Sequence, residues 1–327
     1  MKKISLLVSF IAYGLLAHGQ LLLNENFDYN AGILTGQGGW TRYLNTPAAP
    51  TLTVVENSLT YKDYPTSGIG RQVLILNDGV TRGEITYRTF TPQISGIVYF
   101  SALVNVTDAK TNGDYFISLN DNESPGNNMF ARVLVQSVGS NIIFGLVNGN
   151  GSSKRTWQSV STYVTGTTYL IVVKFDVAAN ATSLIVNPDV TAEPSTGWIT
   201  SSQSNGGGSF VPGVNGFGRI LLRQNGVLTD APTLTIDGIR VAKSYSDLFS
   251  AVVTELSTPK DNLLTVSRVG NKLTLNHAAN GSTVEIYSAV GAKVQSAQLE
   301  NCTVQLNNLS KGLYVVRFGN HSYKIML

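Results

Sequence analysis

The segment Thr233-Leu-Thr-Ile-Asp-Gly-Ile-Arg-Val241 alternates apolar and polar residues, as a strand with one buried face does, and then changes phase. Leu234 and Ile236 share one parity, Ile239 and Val241 the other, and the change falls across Asp237-Gly238. One extra residue there, a β-bulge, returns both pairs to the same face, and Gly accepts the backbone that a bulge needs. The segment therefore reads as a strand with one inward face, bulged at its centre.

The same reading extends outward in both directions. Toward the N-terminus, Leu52–Glu56, Glu84–Phe90, Ile97–Val106, Tyr115–Leu119 and Phe130–Val138 are short β-branched and aromatic runs. Ile142–Val147, Tyr169–Phe175, Ser183–Val186 and Gly218–Arg223 continue the series, separated by Gly, Asn, Asp and Thr. No window holds a 3.6-residue apolar period with caps, so only a helical turn is expected, with Tyr245–Phe249 as a candidate. Strand-rich chains of this length limit their exposed edges by forming sandwiches or jelly rolls. The expected class is all-β.

Composition narrows the function classes. The 327 residues are 43% hydrophobic and 13% charged, with 23 basic and 20 acidic side chains. That is too apolar for a disordered chain and too balanced for a nucleic-acid binder. No internal run reaches the roughly 18 apolar residues of a membrane span, so no transmembrane segment is expected. The single Cys makes no internal disulfide and no multi-Cys zinc site.

Residues 1–19 read as a secretory signal peptide: Lys2 and Lys3, an apolar run from Ile4 to Leu16, then Ala17-His18-Gly19 before a cleavage point at Gln20. A second boundary falls near residue 250. Residues 20–250 hold 14 basic and 16 acidic side chains, whereas 251–327 hold 7 and 4. A passenger of 20–250, a linker of 251–262 containing Ser257, Thr258, Pro259 and Asp261, and a C-terminal domain of 263–327 follow. The last has about seven short strands, an Ig-like β-sandwich of its own. Cys302 shares parity with Val304 and Leu306, which places it in that domain's core.

The C-terminal pattern is specific. Lys272-Leu-Thr-Leu-Asn276, the hairpin from Val284 to Val294, and Leu309-Ser-Lys-Gly-Leu-Tyr-Val-Val-Arg317 resemble the type A C-terminal sorting domain of the Bacteroidetes type IX secretion system, over about 255–327. The most specific positions are Leu309, Gly312, Tyr314, Val315 and Val316. The resemblance implies export across the outer membrane by that machinery and removal of the domain by its gingipain-like sortase. It also implies attachment to surface lipopolysaccharide or release. The expected location is extracellular or at the outer-membrane surface.

The passenger resembles secreted domains with a large concanavalin A-like, laminin-G-like jelly roll. Asn24–Gly32 with Gly38-Gly39-Trp40, Tyr169–Asp176, Ser183–Pro188, Leu221–Gln224 and Ile236–Val241 carry the likeness. It implies glycan or surface-polymer binding in some members and no known activity in many.

The passenger has neither His nor Cys, since His18, His277 and His321 all lie outside it. Ser-His-Asp and Cys-His nucleophilic sites and His-ligated zinc therefore cannot be built there. Paired carboxylates remain, but Glu25, Glu56, Glu84, Glu123 and Glu193 follow no E-x-D-x-x-E strand pattern. No enzyme is expected. The oxygen-rich loop from Asn120, Asp121, Asn122 and Glu123 to Asn128 is a candidate calcium site, although Ala131 stands where an EF-hand needs its bidentate Glu. Trp157 and Trp198, each next to small polar residues, are candidate sugar platforms, with Lys154 and Arg155 beside the first for an anionic glycan. Trp40 reads as core. The leading expectation is a secreted or cell-surface binding module for glycan or surface polymer. A structural or adhesion protein is the alternative, and a carboxylate-based polysaccharide hydrolase or lyase a third reading.

Overall fold

The computed structural model describes residues 21–43, 51–77, 79, 83–121, 128–149, 155–159, 162–201, 214, 216–225, 230–250, 266–269, 271–275, 281–318 and 321–326. The chain divides into two units, 1–251 and 252–327. The signal peptide and the 251–262 linker lie outside the described residues.

In the first unit the strands are β1 (Leu21–Glu25), β2 (Gly32–Ile33), β3 (Thr41–Arg42), β4 (Thr53–Val55), β5 (Gln72–Ile75), β6 (Ile85–Gln93), β7 (Ile97–Asp108) and β8 (Asp114–Asp121). They continue with β9 (Met129–Val138), β10 (Asn141–Val147), β11 (Thr156–Trp157), β12 (Thr168–Asp176), β13 (Ala181–Val186), β14 (Ile199–Ser201), β15 (Phe217–Arg223) and β16 (Thr233–Ala242). One sheet has the order β14-β13-β12-β7-β16-β5-β4-β2 with β1 beside β16; the other runs β11-β10-β9-β8-β15-β6-β3. The chain passes between the sheets at β2–β3, β3–β4, β5–β6, β6–β7, β7–β8, β11–β12, β14–β15 and β15–β16, the sheet-switching of a jelly roll.

One apolar core lies between the two sheets. Phe175 of β12 in the first sheet meets Phe217 of β15 and Phe130 of β9 in the second, with ring centroids 4.5 and 5.9 Å apart. Both contacts are edge-on, the arrangement that aromatic quadrupoles favour. Trp40 is buried as expected; it stacks on Phe27 and donates its Nε1 hydrogen to Glu25 Oε2 at 2.8 Å.

The bulge lies where the parity change places it. In β16, Asp237 faces Leu103 of β7 and Arg240 faces Ser101, so three steps on one strand match two on the other. Leu234, Ile236, Ile239 and Val241 all reach the inter-sheet core. Gly238 has φ 56°, and a Cβ there would stand 2.5 Å from Thr66 Oγ1. The short helix α1 (Tyr245–Phe249) follows, capped by Ser244 Oγ, which accepts from Asp247 N at 3.2 Å.

The second unit contains β17 (Val266–Val269), β18 (Lys272–Leu275), β19 (Thr283–Ser288), β20 (Lys293–Gln298), β21 (Thr303–Gln305), β22 (Leu313–Phe318) and β23 (His321–Met326). They form a β17-β18-β21 sheet and a β20-β19-β22-β23 sheet. Leu273, Leu275 and Val304 from the first pack with Val284, Ile286, Tyr314 and Val316 from the second, an Ig-like sandwich. Cys302 departs from the parity expectation. It sits half-buried in a turn with φ 58°, because β21 begins only at Thr303 and strand alternation does not extend through the turn.

Candidate functional site

The outer face of the seven-stranded sheet gathers the unit's most unusual side chains. Residues directly opposite across an antiparallel pair share a face. One row crosses four strands as Trp157, Gly145, Leu134 and Tyr115. A second runs through Ser118, Leu221 and Tyr87, and a third through Asn120, Arg219 and Thr89. Intervening residues such as Val133, Phe144, Ile220 and Leu222 point into the core, so alternation places Arg132, Arg219, Leu221 and Arg223 outward together.

Strand packing fixes these groups in place. A Cβ on Gly113 would stand 2.9 Å from Trp157 Cη2, and one on Gly145 would enter the six-membered ring, so two missing side chains make the bed on which Trp157 lies. Tyr115, Leu134, Val147 and Leu221 form a small apolar cluster beside it. The Arg223 and Arg132 guanidiniums stand 4.3 and 4.9 Å from the centre of the Tyr115 ring, and Arg219 stands 4.9 Å from that of Tyr87. A cation over an aromatic face is attracted by the ring quadrupole, more strongly where water is excluded. Arg223 also donates to Asp114 Oδ2 at 2.6 Å, as does Asn225 Nδ2 at the same distance. Arg219 donates to the Asp121 carbonyl at 2.9 Å, and Arg155 to that of Gly113 at 2.9 Å.

Burial sets the electrostatics of this face. It pushes the Tyr115 hydroxyl above its ordinary range, opposed chiefly by Arg223 and Arg132. It also holds Arg132 below the usual guanidinium value. Ser118 and Asn120 are fully buried, and Ser118 Oγ, Asn120 Oδ1 and Arg219 Nε have no hydrogen-bond partner among the described residues.

The other candidates are dispersed. Trp198 lies on the opposite side of the sandwich, against Leu170, Val172 and Ile185 on the outer face of the nine-stranded sheet. Its Nε1 donates to the Pro194 carbonyl at 2.8 Å, and Lys174 stands 4.3 Å over its ring. A cavity of about 400 Å³ on that side is lined by Tyr99, Glu193, Lys243 and Tyr245. There Glu193 accepts from Tyr99 at 2.9 Å and Lys174 at 2.8 Å. Lys154, Asn122 and Glu123 lie outside the described residues. Asn120 donates to the Asn128 carbonyl at 2.8 Å, and Asp121 Oδ2 accepts from Asn128 Nδ2 at 2.5 Å. Asp121 Oδ1 lies 3.9 Å from Arg219. In the candidate calcium loop Asp121 Oδ2 is thus engaged while Asn120 Oδ1 is not, and among the described residues no group of three or more His, Cys, Asp or Glu is gathered for a metal.

Of the remaining carboxylates, Glu25 accepts from the Phe27 N–H, Tyr29, Trp40 and Arg88. Glu84 takes Arg42 and the Leu52 N–H at 2.8 and 2.9 Å. Both are buried structural hubs. Sequence reading found Trp157 and Arg155 but not Tyr87, Tyr115, Arg132, Arg219 or Arg223. A signal did exist: Arg219, Leu221 and Arg223 share a parity opposite to apolar Ile220 and Leu222.

In the second unit Tyr314 and Val316 of the expected sorting motif enter the core, Leu309 packs against them, and Tyr314 donates to the Ser310 carbonyl at 3.0 Å. Residues 268–326 match the Secretion system C-terminal sorting domain family. The C-terminal unit is a type IX sorting domain. It marks the chain for export to the cell surface or extracellular space. No helix among the described residues is long and apolar enough to cross a membrane.

No curated protein matches the chain. Solved structures with a similar arrangement include a sialidase at 13% identity and TM-score 0.43, the match covering 72% of this chain and 19% of that one. A CBM2 module of the Lactobacillus casei BL23 phage J-1 evolved Dit protein matches at 11% identity and TM-score 0.42, covering 68% and 95%. A carbohydrate esterase from the Shiga toxin-encoding bacteriophage phi24B matches at 12% and 0.44, covering 69% and 100%. The chain spans about a fifth of that sialidase.

Proposed function

We propose that the N-terminal unit is a non-catalytic carbohydrate-binding module, delivered to the cell surface or medium by its sorting domain, with the outer face of the seven-stranded sheet as its binding surface. The observation that carries this reading is the convergence of Trp157, Tyr115 and Tyr87 with four arginines on one sheet face. Flat rings and planar guanidiniums suit the alternating C–H and hydroxyl faces of sugars. Backbone pairing holds them in rows, so little ordering is needed on binding. Two carboxylates that contact arginines of this face, Asp114 and Asp121, are engaged by Arg223 and Asn225 and by Asn128.

The test is affinity electrophoresis of the full chain through a panel of neutral and charged polysaccharides, with and without calcium. Retention by at least one polymer, lost in Trp157→Ala but not in Trp198→Ala, is expected. The calcium arm reports on the Asn120–Glu123 loop. Uniform migration through every polymer would favour the adhesion alternative, and shortening of any polymer would revive the hydrolase or lyase reading.

A further inference from the structure

We infer that the ligand of this face is an anionic polysaccharide, one whose sugars carry carboxylate or sulfate groups. The inference rests on the binding reading above and goes on to the chemistry of the ligand. Nine arginines occur between residues 20 and 250, in a segment whose net charge is −2, yet Arg132, Arg155, Arg219 and Arg223 converge on one sheet face. Among the described residues, Asp114 pairs with Arg223 at 2.6 Å and Asp121 stands 3.9 Å from Arg219. A positive face on an acidic unit is a local arrangement, and it focuses field on whatever approaches that side.

The geometry separates an anionic ligand from a neutral one. A neutral sugar stacks on a bare ring, but the Tyr115 and Tyr87 rings have guanidiniums 4.3 to 4.9 Å from their centres. Beside those rings lie planar, largely buried N–H forks, whose geometry matches carboxylate and sulfate oxygens. Arg219 spends Nη1 on the Asp121 carbonyl, and its Nε, on a side chain only 12% exposed, has no partner among the described residues. Arg155 has the Gly113 and Asn112 carbonyls as its hydrogen-bond acceptors, neither of which cancels its charge. Arg132 and Arg219 lie on strands β9 and β15 on either side of β8, two strand spacings or about 10 Å apart across the sheet. That span addresses more than one sugar of a chain, so a polymer fits better than a single anion. Partial burial strengthens each contact, because charges interact more strongly where water is excluded.

The experiment measures retention of the full chain on alginate and polygalacturonate for carboxylate, on dextran sulfate for sulfate, and on dextran and laminarin as neutral controls. Retention by either anionic class supports the inference and tells which group is read. Affinity should fall steeply between low and high NaCl, as it does when fixed charges meet. Arg155→Gln and Arg219→Gln, made separately, should each weaken anionic retention about tenfold, the loss of a charge-assisted contact. Lys62→Gln, a 91%-exposed lysine, should not weaken it. Retention by neutral polymers alone, sensitive to Trp157→Ala, would overturn the anionic ligand and leave the carbohydrate-binding reading intact. Anionic retention indifferent to salt or to both arginine variants would also overturn it. Retention by no polymer would remove both readings.

Discussion

Arg223 holds two groups at once: its guanidinium carbon stands 4.3 Å from the centre of the Tyr115 ring while its Nη1 lies 2.6 Å from Asp114 Oδ2. Ring, cation and carboxylate come from two adjacent strands, β8 and β15, and lock each other's rotamers. The outer face of the sheet is therefore organised by its own side chains.

Removing the carboxylate from that trio should be costly. Asp114→Ala leaves Arg223 and Asn225 without their shared acceptor in a partly buried setting. The expected loss is about 2 kcal/mol of unfolding free energy, read by urea denaturation. Asp114→Asn, which keeps an acceptor oxygen, should recover part of it.

Gly145 makes room for Trp157, so Gly145→Val should lift the indole off the sheet. Tryptophan emission should shift to the red, and polysaccharide retention should fall with it. An unchanged spectrum would mean that the ring does not rest where it is placed.

At the bulge of β16, Gly238→Ala meets both a left-handed backbone and the Thr66 hydroxyl. The backbone conformation alone costs an L-residue about 1–2 kcal/mol, and the close approach adds to it. A drop of about 2–4 kcal/mol in unfolding free energy is expected. Thr66→Ala in the same background should restore part of that loss.

Asp237 gives the fold a pH dependence. Burial holds its carboxyl up at about 7, against the hydrogen bonds it accepts from Ser58, the Leu59 N–H and the Gly238 N–H. Its folded value lies above that of an unfolded aspartate, about 4. Its contribution to stability is therefore full below pH 4 and lost as pH rises through 7. Denaturation between pH 4 and 8 should show wild-type stability declining by on the order of a few kcal/mol relative to Asp237→Asn. Parallel curves would contradict a raised value.

Much of this was legible along the chain, for local reasons. Parity breaks, β-branched runs and Gly punctuation are properties of neighbouring residues, so the longer strands, the Asp237-Gly238 bulge and the Tyr245–Phe249 turn could be read directly, whereas Leu21–Glu25, Gln72–Ile75 and the two- and three-residue strands β2, β3, β11 and β14 were not. Parity failed at Cys302, where a turn interrupts the strand. The candidate site was legible only at Trp157 and Arg155. Trp198 shared the same local signature, yet it packs under Lys174 on the other side of the sandwich.

Two things followed from residue order alone: an all-β chain, and a C-terminal sorting domain whose motif residues Tyr314 and Val316 enter its own core. Which arginines meet which tyrosines was decided only by tertiary structure. Tyr87, Tyr115, Arg132 and Arg219 are separated by up to 132 residues in the sequence, and β15 brings them together by inserting between β6 and β8. Strand alternation says that a side chain points outward. Only the pairing of distant strands by backbone hydrogen bonds says what stands beside it.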